Sequence, residues 1–80
     1  MRNEHRHWDL SHRDEFPAIE EELKTALEIG GLTAGGKIFY GKTDVTVHND
    51  HTATVTIETN GRVFTNTLKL YTNGYWDVLE

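Results

Sequence analysis

The tripeptide Thr-Asn-Gly occurs twice in the second half of the chain, at 59–61 and at 72–74. Asn-Gly between two alternating segments is a strong hairpin signal, because both central residues of a type I′ turn need positive φ. The polar stretch at 48–51 indicates a third turn. The sequence therefore predicts a four-stranded antiparallel meander over 43–79. Its strands are expected at 43–48, 52–59, 62–72 and 75–79.

The turns also predict which side chains share a face, because side chains alternate along a strand. A two-residue turn at the first Asn-Gly pairs Thr59 with Arg62. The first loop is expected to hold three residues, 49–51, with His48 opposite Thr52, because an odd number brings two valines to the same face as the apolar residues of the next strand. The predicted inner face is Val45, Val47, Ala53, Val55, Ile57, Phe64, Leu68 and Leu70.

The second Asn-Gly, at 73–74, predicts an apolar patch on the outer face. A two-residue turn there pairs Thr72 with Tyr75, which turns the last strand so that its large side chains point away from the core. The patch is expected to comprise Val63, Tyr71, Trp76 and Val78. The same alternation leaves Asn66 at an inner position, where it needs either a buried partner or a local bulge.

A single helix is predicted over 14–29, where apolar residues recur at helical spacing. Pro17 is tolerated only in the first turn, which favours Asp14 as the N-cap. The Gly-Gly pair at 30–31 ends the helix, and one of the two is expected in the left-handed cap conformation. The stripe that should pack on the sheet is Phe16, Ile19, Leu23, Ala26 and Leu27.

The predicted fold is one α+β domain over residues 1–80, with one helix packed on the meander and an irregular N-terminal arm over 1–13.

Eighty residues leave little room for an enclosed cavity beside a core, so the size favours a surface-acting module over an enzyme. The absence of cysteine excludes disulfides and thiolate chemistry. The segment 1–15 lacks the apolar centre of a secretory signal, so a cytoplasmic protein is expected.

Known catalytic and nucleotide-binding patterns are not matched. The glycine-rich stretch 31–38, "GLTAGGKI", imitates a phosphate loop but carries Ile38 where the motif needs serine or threonine, and it follows a helix where the motif follows a strand. We interpret it as a flexible connection to the sheet. Ser11 is the only serine and has no nucleophile signature around it. No catalytic residue and no cofactor are therefore predicted.

The negative charge of the chain, −5 overall, is concentrated in the helix. Residues 14–28 contain six carboxylates and a single Lys24. One interpretation is a solvated helix face; the other is a negative surface offered to a basic partner, such as the nucleic-acid groove of an enzyme. The candidate partner-binding residues on the helix are Glu20, Glu21, Glu22 and Glu28.

The predicted outer patch has three interpretations. Tyrosine and tryptophan are enriched in binding hot spots, so Tyr71, Trp76 and Val78 are candidates for binding a partner or a second copy of the chain. Alternatively, the N-terminal arm covers the patch through Trp8 and Leu10. The patch aromatics, with Lys69 and Arg62, would also suit stacking on single-stranded bases, although no basic stripe supports nucleic-acid binding.

Five histidines leave a metal-binding alternative open. His5, His7 and Asp9 would fall on one side of an extended segment, but their spacing matches no closed site.

The leading hypothesis is a small acidic, non-catalytic protein-binding module, such as a phage-type inhibitor of a nucleic-acid-handling enzyme. The alternatives are a homo-oligomeric subunit associating through the outer sheet face, a histidine-based metal-binding protein, and a single-stranded nucleic-acid binder.

Overall fold

The computed structural model describes residues 8–79 and shows an α+β fold, with one helix packed on a four-stranded antiparallel sheet and a separate two-stranded sheet. A short 3₁₀ turn at Arg13–Glu15 precedes the helix α1, Phe16–Gly30. The strands are β1 (Leu32–Ala34), β2 (Lys37–Phe39), β3 (Lys42–Val47), β4 (Thr52–Thr59), β5 (Arg62–Leu70) and β6 (Trp76–Leu79).

The large sheet is the predicted meander, in the order β3-β4-β5-β6. The loop between β3 and β4 has the predicted three residues, because the backbone N–H of His48 donates to the carbonyl of Thr52 at 2.8 Å. His51 closes this loop with a φ of 65°. Val45 lies opposite Val55 in the resulting register, so the first hairpin prediction is confirmed.

The first Asn-Gly corner is also confirmed. Asn60 and Gly61 have φ values of 52° and 77°, as a type I′ turn requires. Thr59 pairs with Arg62, and the register runs without a bulge along β4 and β5. Asn66 stays opposite Val55 on the inner side, where it is half-buried. The Asn66 side chain is thus partly exposed to water, and neither the buried partner nor the bulge predicted for it is needed.

The second Asn-Gly corner differs from the prediction. Leu70 pairs with Trp76, so the loop contains three residues, 72–74, rather than two. The N–H of Gly74 donates to the carbonyl of Tyr71 at 3.1 Å, which forms a four-residue turn, and Gly74 has a φ of 85°. A further hydrogen bond from the N–H of Tyr71 to the carbonyl of Tyr75, at 2.9 Å, closes the loop. The extra loop residue reverses the faces of β6.

The helix has the predicted apolar stripe but different ends. Phe16, Ile19, Leu23 and Leu27 are buried. Asp14 is not the N-cap: Glu15 occupies that position without a side-chain cap, and the preceding 3₁₀ turn leads the chain into the helix instead. Gly31 follows the helix with φ 76° and ψ 169°, an extended conformation nearly restricted to glycine rather than the left-handed cap that was expected.

The glycine-rich stretch after the helix is a hairpin, not a flexible connection. β1 and β2 pair with Ala34 opposite Lys37, which leaves Gly35-Gly36 as a two-residue turn. Their φ values of 59° and 78° suit a type I′ turn. Phe39 packs on Phe64 of the large sheet, with ring centroids 4.7 Å apart. The hairpin therefore covers one end of the inner sheet face.

The core lies between the inner sheet face and three covering segments: α1, the hairpin, and residues 8–10 before the helix. Trp8 and Leu10 are buried with Leu23, Ile57 and Leu68 in one apolar cluster. The outer face of the large sheet has no covering element within residues 8–79 and displays mainly threonine. In this part of the chain, α1 is too short and too polar to cross a membrane.

Candidate protein-binding surfaces

The outer apolar patch predicted from the second corner does not exist as predicted. Val78 lies opposite Leu68, and Trp76 lies opposite Leu70, both of which are buried on the inner face. Trp76 and Val78 are accordingly half-buried and pack against the core. The three-residue loop is the cause, because one extra residue moves every side chain of β6 to the other face.

The N-terminal arm covers Trp76, but on the inner side of the sheet. The rings of Trp8 and Trp76 are stacked, with centroids 6.4 Å apart and an interplanar angle of 16°. The backbone N–H of Trp8 donates to the carbonyl of Thr72 at 2.8 Å, which fixes the arm to the last loop. Residues 1–7 of the predicted arm, including His5 and His7, lie outside the described residues.

A polar cluster takes the place of the predicted patch at this end of the outer face. The Tyr71 hydroxyl donates to Asp77 Oδ2 at 3.0 Å, and this hydrogen bond raises the pKa of Tyr71. Lys69 Nζ lies 5.5 Å from the centre of the Tyr71 ring. The Tyr71 and Tyr75 rings are 6.3 Å apart and tilted. A carboxylate beside the aromatic rings makes this cluster a poor platform for a phosphate backbone.

Two of the four glutamates on α1 that were candidates for binding a partner accept hydrogen bonds from other parts of the fold. Glu20 Oε2 accepts the backbone N–H of Val47, the last residue of β3, at 2.8 Å. Glu22 Oε2 accepts the indole N–H of Trp8 at 3.0 Å. These carboxylates link the helix to the edge of the sheet and to the arm, so part of their hydrogen-bonding capacity is used internally.

The other two, Glu21 and Glu28, are exposed. They are seven residues apart, which is two helical turns, so they lie on the same side of α1, opposite the buried stripe. Asp14 and Glu15, at the start of the helix, are also exposed. None of these four carboxylates forms an ion pair with a residue in 8–79. We call Glu21 and Glu28 the acidic face of α1.

His12 and Ser11 contact the same carboxylate, that of Asp9. His12 Nδ1 contacts Asp9 Oδ2, while the Ser11 hydroxyl donates to Asp9 Oδ1 at 2.8 Å. The Ser11 hydrogen bond and then that of His12 hold the pKa of Asp9 below its usual range. Because Ser11 donates to the carboxylate rather than to the imidazole, it is not activated as a nucleophile. Residues 8–79 contain no cluster of potential metal ligands.

Open grooves flank the core within residues 8–79, and two of them have a described lining. One, of about 610 Å³, lies between the start of the helix and the first hairpin loop and is lined by Arg13, Phe16, Val47, His48, Asn49 and Asp50. Arg13 Nε donates to Asn49 Oδ1 there at 3.2 Å, and the hydroxyl of Thr52 lowers the pKa of Asp50. The other, of about 310 Å³, lies beside Asn66 and Phe64, under the small hairpin. Neither brings a nucleophile together with a general base.

The sequence analysis did not identify one group of exposed apolar side chains. Ile29, Ile38 and Tyr40 are 68%, 56% and 52% exposed and lie at the end of α1 and on the small hairpin. The signals were present in the sequence: Ile29 falls off the buried helical stripe, and Gly35-Gly36 is itself a hairpin turn signal. We call these three residues the apolar corner.

Comparison of the chain with protein-family models, with curated proteins and with solved structures gives no match.

Proposed function

We propose that the protein is a non-catalytic protein-binding module that presents the acidic face of α1 to a basic surface on a larger macromolecule. The narrower form of the proposal is an inhibitor that occupies the nucleic-acid groove of an enzyme in the cytoplasm. Such a groove is lined with lysine and arginine, whose charge complements exposed carboxylates.

The main support for the proposal is that some helix carboxylates accept internal hydrogen bonds whereas others are exposed to solvent. Glu20 and Glu22 accept hydrogen bonds from β3 and from Trp8, which accounts for them structurally. Glu21 and Glu28 are exposed and have no ion pair within residues 8–79. Exposed charge of one sign steers the association of an oppositely charged partner and contributes to specificity.

The register of β6 favours the helix over the outer sheet face as the binding surface. A homo-oligomer or a base-stacking platform on that face would depend on Trp76, which instead packs against Trp8. Val63 and Leu79 remain exposed there, at 64% and 45%. They belong to different strands, and Leu79 lies opposite Thr67, four residues along β5 from Val63. Single exposed apolar residues of this kind are ordinary for a protein surface.

The test is affinity capture from the source organism with a charge-reversed helix, Glu21→Lys combined with Glu28→Lys. A partner captured by the wild-type chain should be lost, or weakened at least about tenfold, because each reversal replaces attraction by repulsion. The matched control is Asp44→Lys combined with Glu58→Lys. These two carboxylates are exposed on the outer face of β3 and β4, and their reversal changes the net charge equally.

The proposal requires that the helix variant lose the partner and that the sheet variant keep it. Equal capture by the wild-type chain and the helix variant would exclude the acidic face as the binding surface. Loss with both variants would indicate that only overall charge matters. Circular dichroism of both variants establishes that each remains folded before capture is compared.

A further inference from the structure

Two members of the apolar corner, Ile38 and Tyr40, pack on the backbone just after α1. A Cβ atom added to Gly31 would lie 2.7 Å from Ile38 Cγ2 and 2.8 Å from Tyr40 Cε1. The two side chains therefore rest directly on the backbone of Gly31, whose φ of 76° also disfavours any other residue. The hairpin part of the corner is thus in place before any partner arrives, which reduces the entropy cost of binding.

The fold cannot bury this corner within residues 8–79. In the small hairpin, Leu32 and Phe39 face the core, so alternation turns Thr33 and Ile38 to the opposite side. On the helix, Ile29 lies away from the stripe formed by Ile19, Leu23 and Leu27. The exposed fractions of the corner residues follow from these two placements rather than from a gap in the core.

The corner adjoins the acidic face. Ile29 directly follows Glu28 in the last turn of α1 and both are exposed, while Glu21 lies two turns before Glu28 on the same side of the helix as Glu28. The cation nearest in sequence on the hairpin, Lys37, is opposite Ala34 and precedes Ile38, so its side chain points to the other side of the hairpin. The apolar corner therefore lies next to the negative charge of Glu28, at the end of the helix.

We propose that the apolar corner and the acidic face form one binding surface for a basic amphipathic segment of the partner. Apolar side chains of that segment would pack on Ile29, Ile38 and Tyr40, while its lysine or arginine residues pair with Glu21 and Glu28. This inference rests on the proposed function and adds the chemistry of the partner. Helices with one apolar face and one charged face are commonly recognised by such surfaces.

A second copy of the chain is a poorer occupant on electrostatic grounds. A two-fold interface is isologous, so each surface patch meets itself. Centring such an interface on the corner would bring Glu28 of one copy towards Glu28 of the other. Like charges across an interface oppose association, whereas a basic segment neutralises both carboxylates.

Two synthetic peptides test the inference. The first is a fluorescently labelled amphipathic helix of leucine and lysine, and the second carries glutamine in place of every leucine. Fluorescence anisotropy with the full-length chain should give at least about tenfold tighter binding of the leucine peptide, equivalent to burying one or two apolar side chains. The variant Ile29→Gln with Ile38→Thr should abolish this preference, and amide shifts upon binding should map to 28–31 and 37–40.

The matched control is Val63→Thr with Leu79→Thr, which removes two comparably exposed apolar side chains from the outer sheet face. This control should keep the preference for the leucine peptide. Equal binding of the two peptides, an undiminished preference in the corner variant, or self-association of the wild-type chain that the corner variant removes would each overturn the inference. Binding of both peptides that depends on Glu21 and Glu28 alone would retain the proposed function and reject the apolar contact.

Discussion

At the scale of single residues, neighbouring glutamates on one helix have different roles. Glu20 lies at the flank of the buried stripe, close enough to β3 to accept the N–H of Val47 at 2.8 Å. Val47 is at the end of a sheet edge, where a backbone donor has no strand partner within the described residues. The carboxylate therefore satisfies a backbone group that strand pairing leaves open. Glu21, one residue on, faces solvent.

Replacing Glu20 by alanine should lower the free energy of unfolding by about 1.5–3 kcal/mol, the range for a hydrogen bond to a charged group. Glu20→Gln retains an acceptor and should cost less than the alanine variant. Urea unfolding followed by circular dichroism measures these differences. Glu21→Ala is the control on the same helix, and we expect it within about 0.5 kcal/mol of the wild type. Equal effects at the two positions would contradict the structural role of Glu20.

At the scale of elements, the two Asn-Gly corners show what a local sequence leaves undecided. At the first corner both residues have positive φ, whereas at the second only Gly74 does. Both loop types suit the dipeptide, since glycine can close a three-residue loop as readily as a two-residue one. The longer loop places Trp76 on the inner face, where it stacks on Trp8. Burial of these rings accompanies the longer loop.

The register of β6 can be tested with two neighbouring substitutions. Val78 faces the core and Leu79 faces solvent, so Val78→Asp should lower the free energy of unfolding by about 2 kcal/mol, through burial of a polar group without a partner. Leu79→Asp should change it by no more than about 0.5 kcal/mol. Chemical unfolding of both variants gives the comparison. The two-residue turn predicted from the sequence would reverse the order of the two effects.

The elements that follow from local signals were predictable, and those that depend on distant contacts were not. The helical stripe, the three-residue loop before Thr52 and the turn at Gly61 are encoded by nearby residues and were confirmed. The face of Trp76 depends on a ring that lies far away in the sequence. Likewise, the sequence groups Glu20 and Glu22 with the exposed carboxylates of the helix. A charge pattern does not show which carboxylates accept internal hydrogen bonds, as these two do from Val47 and Trp8.

At the scale of the whole molecule, segments from distant parts of the chain complete one core. The Trp8 side chain contacts β6 through its ring and α1 through its indole N–H, and its backbone bonds to the last loop. Leu10 is buried in the same cluster as the helix and sheet residues. A chain of this size has few apolar side chains, so detaching the arm would expose a substantial part of the core.

Unfolding should therefore be a single cooperative transition. Tryptophan fluorescence reports the contact between the arm and β6, while far-ultraviolet circular dichroism reports the helix and the sheet. Because one apolar cluster joins these parts, urea curves from the two probes should have the same midpoint. The variant Trp8→Phe leaves Trp76 as the only emitter and should retain coincident curves at a lower midpoint, since its ring cannot donate to Glu22. A fluorescence change at lower urea than the loss of secondary structure would mean that the arm separates independently.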